Sequence, residues 1–599
     1  MSLITRAFSF SLVVAFLLAD AAAQQPSIDR PKIPEPPSPT VASKNKETEK
    51  QQIALLEQIA KDADRLRLPE NRALVAAKLA DGFWRHDEKR ARALFQTAIN
   101  ELVAAQTQAE GNKKQANMLY SLINGVSPRH EILAMIAARD AEFALEAFYK
   151  SRPAKIALIL SNPEEMKKSN SQQFVQSELY FEQSLITRVS EQNPQRALKL
   201  FRESLAKGVT YEALGIIEKL KEKDMELAVQ IAGEVADKLL GADFEKQNQD
   251  FGLAQTFLAQ YGKKPEENEK IVKVEEKKLR DLAAMIAKSI LKVSDEEYYE
   301  IETLLPMMEK FSPENVAALK QKKARFENSD ERREYMAYEK FMESEPSPEK
   351  ILSEAEKYPE TFRNQMYYAA AEKFAQNGNM TQAQKIIQTK MSQEESDGYL
   401  TQINYSLISK AIGEGKYDEA SLLINQIPVE NMRFGLLMQL AMSVYQKNPA
   451  ENKKQTLAIL DQARALIAQP AETLEDMSYL TQFAIALAEI EPEQSFQTVE
   501  VMIFPINEYV EASAIVSKFR NEGTLRQGEM LINSYGAING FYNLNSLLAT
   551  LKNKDFSRTL AFVNGFQRPE VRLSLLLQLI EANPPANKTG ITTTVKSGG

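Results

Sequence analysis

Apolar residues recur along this chain at spacings of three and four, and period-two alternation is almost absent from its body. That periodicity gives each of a long series of segments one apolar stripe, which predicts helices rather than strands. The stretch "GKYDEASLLINQIP" (Gly415–Pro428) shows the unit. Gly415 ends one helix, Asp418 and Glu419 occupy the first turn of the next, and Ala420, Ile424 and Ile427 share its face. "GNMTQAQKIIQTKM" stands 37 residues earlier and "NKKQTLAILDQARA" 37 residues later.

Taking Ala420 as an anchor, equivalent small or apolar positions fall at Ala383, Leu457, Ser495, Gly528 and Thr559, with steps of 37, 37, 38, 33 and 31 from Ala383 onward. In the N-terminal half the steps are 53, 53 and 31, from Ala91 through Ala144 and Ala197 to Ala228. A small anchor lets two helices cross closely, and residues four and seven further on share its face. Between Ala228 and Ala383 the register is lost, around a charged helix (Lys264–Lys292) and a Pro306 kink. Helix starts are marked by a capping side chain before Pro at Asn162-Pro163, Asn193-Pro194, Ser312-Pro313, Ser347-Pro348 and Asn448-Pro449. There Asn or Ser accepts from an unpaired N–H, and Pro gives up one that had no partner.

This residue set resembles the tetratricopeptide repeat, in which a first helix carries a large apolar, a small and an aromatic residue. Its second helix carries Ala, then an apolar residue four later and Ala three after that. "LADGFWRHDEKRARALFQTAI" (Leu79–Ile99) is the best single match, one residue short in its loop. The resemblance covers about two thirds of the helical body, is degenerate in each copy, and lacks the family's first-helix Trp. It implies an all-α fold, a right-handed α-solenoid of helical hairpins with an irregular helical middle section.

The expected organisation is a signal peptide over 1–23, a disordered Pro-rich linker over 24–45, and a helical-repeat array over 46–262. An irregular charged section (263–345), a second array (346–583) and a disordered tail (584–599) follow. The leader consists of Arg6, a 13-residue apolar core (Ala7–Ala19) and the small residues Ala21–Ala23. That core is too short to span a bilayer comfortably, so cleavage after Ala23 and a periplasmic or secreted address are expected. The body is poor in helix breakers, with 22 Gly in 599 residues, which favours helix throughout. Cys is absent, which excludes disulfides, thiolate metal sites and a lipid-modified Cys anchor, and leans toward a bacterial envelope protein. A net charge of −8 gives no electrostatic footprint for nucleic acid or anionic lipid. The locally basic Lys320–Glu334 is interleaved with acids and reads as a solvated helix face.

Catalytic signatures are scarce. His86 and His130 are the two histidines. "HEILA" at His130 lacks the second His of a zinc-protease helix, and His86 falls in a turn after Trp84, itself read as a packing residue. Ile412–Lys416 ("IGEGK") only mimics a phosphate loop, because it joins two helices and lacks the upstream Gly. No metal site and no cofactor are implied. Paired carboxylates among the 82 Asp and Glu remain an open route to hydrolysis.

One pair of positions repeats beyond what packing demands. Gln365 and Tyr368 recur 37 residues later as Gln402 and Tyr405. By the resemblance they would line the concave groove that grips a partner segment, and Tyr suits such a surface. The alternative is that both Tyr pack between neighbouring hairpins. The leading functional reading is an exported, non-enzymatic scaffold that binds a protein or peptide. Its competitors are an exported hydrolase with an acidic pair in a helical cleft, and a passive spacer at the cell envelope.

Overall fold

The computed structural model describes residues 39–110, 128–162, 165, 169–244, 249–263, 270–293, 301–327, 330–427, 429–520, 525–532 and 544–580. The proposed signal peptide, most of the Pro-rich linker and the C-terminal tail lie outside these. Among the described residues there are 27 helices and one two-stranded hairpin. The first half carries α1 (Pro39–Ala63), α2 (Pro69–Phe83), α3 (Glu88–Glu110), α4 (Pro128–Arg139), α5 (Ala141–Lys150) and α6 (Ala154–Ser161). It continues through α7 (Ser169–Gln192), α8 (Pro194–Leu205), α9 (Glu212–Lys223), α10 (Met225–Leu240) and α11 (Gln249–Gly262). The middle holds α12 (Glu276–Lys292), α13 (Ile301–Phe311), α14 (Pro313–Glu327) and α15 (Asp330–Glu343). There follow α16 (Pro348–Ala355), α17 (Glu360–Gln376), α18 (Met380–Lys390), α19 (Gln393–Gly413), α20 (Tyr417–Asn425) and α21 (Glu430–Lys447). Last come α22 (Pro449–Arg464), α23 (Leu474–Ile490), α24 (Pro492–Arg520), β1 (Leu525–Arg526), β2 (Glu529–Met530), α25 (Leu544–Lys554), α26 (Phe556–Asn564) and α27 (Pro569–Ile580). The helix α1 begins at Pro39, inside the span read as linker, and α13 runs through Pro306.

The anchors behave as the repeat requires. Ala91, Ala144, Ala197, Ala228, Ala383, Ala420, Ser495 and Thr559 are all fully buried. Two assignments change. The slot given to Leu457 is filled by Thr456, which is fully buried while Leu457 is only half-buried. Gly528 is not on a helix: it sits at φ +76 beside Gln527 at φ +52 in the turn joining β1 to β2. Two consecutive left-handed residues make a type I′ turn, which right-twisted hairpin strands favour. The hydroxyl anchors satisfy themselves by donating to nearby carbonyls: Thr456 to Asn452 (2.9 Å), Ser495 to Ala484 (2.6 Å) and Thr559 to Asp555 (2.7 Å).

A capping rule underlies the anchors. In six second helices an Asx residue four positions before the anchor accepts from the N–H three residues on. The pairs are Asp87–Ala91, Asp140–Ala144, Asn193–Ala197, Asp224–Ala228, Asn379–Ala383 and Asp555–Thr559. The cap fixes where the helix starts and therefore which residue meets the crossing. Ser347 and Asn448 also cap as expected, whereas the Ser312 hydroxyl donates to Glu314 instead; the helix start expected at Asn162-Pro163 lies largely outside the described residues. At the other end, Gly378 (φ +84) and Gly415 (φ +73), 37 residues apart, close α17 and α19 with the same pair of bonds. Gly378 N–H donates to Ala375 and Asn379 to Phe374; Gly415 donates to Ile412 and Lys416 to Ala411.

Within the unit from Ile53 onward, most helices pack on their sequence neighbours, and the last returns to the N-terminal end: α27 packs on α2. The hairpin is seated at that junction. Asn71, 2% exposed, donates to Glu529 (2.6 Å) and to the Met530 carbonyl (2.7 Å), and accepts from Ile532 N–H (2.8 Å). Glu529 also accepts from the N–H groups of Arg67 and Leu68, Glu70 pairs with Arg526, and Glu570 accepts from Met530 N–H (3.1 Å). One hydrophobic core runs from Leu55 to Leu319 and from Ile408 to Leu579, continuous across the α2–α27 junction. A second, smaller core (Ile351–Ile403) belongs to α16–α19. The non-covalent joint is thus better packed than the covalent one through α15, which buries no apolar residue.

Candidate functional site

The helices α17 and α19 are first helices of successive hairpins and lie against each other. Both carry the predicted pair on one face. Gln365 and Gln402 are exposed, and Tyr405 is 39% exposed. Tyr368 is half-buried, its ring 5.3 Å from that of Tyr399 on α19, and burial pushes its hydroxyl pKa up. The two helices are tied further by Ser406 donating to Glu372 (2.7 Å). Tyr368 therefore contributes to hairpin packing, while Tyr405 keeps an accessible ring.

The same step of 37 continues onto α21 and α23. Gln439 and Met442 take the corresponding places, then Asp476 and Tyr479. Gln439 is exposed and Met442 half-buried. Tyr479 stacks on Phe434 of α21 at 4.1 Å, with its hydroxyl on Glu475. Asp476 is diverted into a capping box with Thr473. Three successive first helices thus present an exposed amide beside a large, polarisable side chain, and the fourth, α23, keeps only the ring. This continuation was legible in the sequence as two further steps of 37, masked by Met in place of Tyr at 442.

An acidic pair does exist, though no sequence signal isolates it. Glu178 and Glu182 lie one turn apart on α7, 3% and 0% exposed. Arg129 of α4 holds Glu178 with two bonds (2.9 and 3.0 Å), and Arg152 bridges Glu178 (2.9 Å) and Glu182 (2.5 Å). Lys207 (2.8 Å) and the Tyr149 hydroxyl (3.1 Å) complete the shell of Glu182. Both guanidiniums also lie over the Phe148 ring, at 4.6 and 4.7 Å. Burial works to raise the Glu178 pKa, yet Arg129 and then Arg152 outweigh it and hold the carboxyl below its ordinary range. Hydrolysis by a carboxylate pair needs one carboxyl raised so that it can donate a proton. Glu178 is shifted the other way and both carboxylates are already saturated with cations. The cluster joins α4, α5, α7 and the end of α8.

Beside it, His130 packs edge-on against Phe181 at 4.4 Å; burial, helped by Arg129, lowers its pKa to about 4. His86 is exposed in the turn after α2. Trp84 packs partly buried against the core, 5.9 Å from Phe95. Ile412–Lys416 forms the α19–α20 connection, with Lys416 paired to Glu414 (2.6 Å). Within Lys320–Glu334, Lys320 pairs with Glu309 and Lys323 with Glu302 and Glu327. A cleft of about 120 Å³ lined by Glu218, Gln260, Tyr261 and Val272 is well below the size of a usual ligand pocket. Among the described residues no group of three His, Asp or Glu is arranged to hold a metal, and no helix is long and apolar enough to cross a membrane.

No family model matches the sequence, and no curated protein does. Among solved structures, a circular tandem repeat protein with novel repeat topology and enhanced subunit contact surfaces is matched at 12% identity, over 89% of this chain and 96% of that one. Its TM-score of 0.18 carries no argument. The class rests on this chain's own geometry: it is an α-helical repeat protein built from stacked hairpins.

Proposed function

We propose that this chain is an exported helical-repeat scaffold of the bacterial cell envelope, similar to tetratricopeptide proteins, that binds a protein or peptide along its first-helix face. The supporting observation is the ladder Gln365/Tyr368, Gln402/Tyr405, Gln439/Met442, whose amides are exposed in every copy. Exposed amides at equal steps offer donors and acceptors to an extended backbone, while rings and the Met side chain offer apolar contact. The leader over residues 1–23 supports the periplasmic or secreted address. The buried Glu178–Glu182 pair lends no support to the hydrolase reading, since neither carboxylate can reach a substrate.

The test separates the two tyrosines. Tyr405→Ala should weaken capture of the partner from an envelope extract while leaving the thermal midpoint nearly unchanged. Tyr368→Ala should lower the midpoint through the lost Tyr399 contact. A Tyr405→Ala, Gln402→Ala double variant that captures the partner as well as the parent protein would refute the assignment of this face.

A further inference from the structure

The helix α24 is apolar on two opposite sides, and only one of them is covered. Phe496, Val499, Met502, Ile506, Val510 and Ala514 are buried in the core. On the other side Val501 is 68% exposed, Phe504 64%, Ile515 57%, Val516 46% and Phe519 82%. The spacing 501, 504, 508, 512, 515, 519 follows steps of three and four, so these residues form one stripe along five turns of helix. Glu508 is the only charged member of that series. The outward side of α8, by contrast, is polar and consists of Gln195, Arg196, Lys199, Arg202 and Glu203. A helix apolar all round is one whose outer side is also meant to be covered.

We propose that a second copy of this chain covers it, with the two α24 helices packed antiparallel about a two-fold axis that crosses the stripe midway between Glu508 and Ala512. The stripe is self-complementary under that operation, as an isologous contact requires. Positions whose numbers add to 1020 face each other: Val501 meets Phe519, Phe504 meets Val516, Pro505 meets Ile515, and Glu508 meets the small Ala512. Most acids of α24 are neutralised within the chain, Glu493 and Glu500 by Arg558 and Glu511 by Arg568, so the apolar side chains of the stripe, and not an ion-pair pattern, drive the contact. The five exposed side chains leave roughly 500 Å² per chain, about 1,000 Å² for the pair, the lower edge of specific interfaces. The dimer is therefore a reversible one, set by protein concentration.

Sedimentation equilibrium on the full chain should show a concentration-dependent monomer–dimer exchange. Phe504→Glu with Phe519→Glu should raise its dissociation constant roughly 100-fold or more, by placing charge in the seam. Because the native chain has no Cys, register can be tested with the stripe nearly intact: chains carrying Glu508→Cys are mixed with chains carrying Ala512→Cys and oxidised. A disulfide-linked dimer forming faster in the mixture than in either variant alone supports the pairing. A monomer at every attainable concentration would overturn it. So would a dimer unaffected by the Glu substitutions, or wild-type binding to phosphatidylcholine vesicles that the double Glu variant loses, which would make the occupant a lipid surface.

Discussion

At the scale of single residues, the chain fixes its geometry with small, satisfied groups. An Asx cap, a small anchor four residues later and apolar residues beyond it set the start, the crossing and the buried face of a second helix. The Glu178–Arg129–Arg152 cluster works differently, because its charges are costly to bury and tolerable only as a complete set. His130 beside it carries a clear pH signature. Its folded pKa is about 4 against an ordinary 6.5, so the folded state keeps the ring neutral while the unfolded chain takes up a proton. The stabilisation is fully present above about pH 6.5 and is lost as pH falls toward 4, a swing of about 3 kcal/mol. In a His86→Gln variant the remaining imidazole should titrate near 4 by NMR, and His130→Phe should flatten the loss of stability across that window. A titration near 6.5 would mean that the ring is hydrated. The cluster could not be read from the sequence: Arg129, Arg152 and Glu178 are ordinary surface residue types, and nothing in a single chain says that they meet.

At the scale of elements, the hairpin repeat was readable because its determinants are local. Ala383 and Ala420, with Gly378 and Gly415 behind them, encode the same crossing and helix end at one spacing. Where the determinants shift by one residue the reading slipped, as at Thr456, whose hydroxyl hides a small buried anchor next to the more conspicuous Leu457. Gly528 misled for a related reason: a lone Gly at repeat spacing is equally the mark of a tight turn, and its neighbour Gln527 gave no warning of a left-handed conformation. The caps make a direct prediction. Asp224→Ala removes the acceptor for Leu227 N–H (3.2 Å) and should cost about 1 kcal/mol. Faster hydrogen exchange should be confined to the first turn of α10; a loss spread evenly over both arrays would contradict a local capping role.

At the scale of the whole helical unit, the sequence implied an α-solenoid of hairpins and gave no sign that α27 returns to α2 with one hydrophobic core running through the joint. That contact joins residues about 460 positions apart, beyond any periodicity, and the hairpin that completes it is four strand residues long. Asn71 is the centre of the joint, with its donors and its acceptor all used. Asn71→Ala would leave Glu529 and the Ile532 N–H without that partner in a buried setting, at a cost of about 3 kcal/mol. The closure also bears on the proposed recognition, because a stack held at both ends would present its first-helix face at fixed spacing. Spin labels on Arg67→Cys and Gln527→Cys in this Cys-free chain measure the closure most directly. The account predicts one short, narrow distance, broadened or lengthened by Asn71→Ala; a long, broad distribution in the otherwise unaltered protein would contradict it.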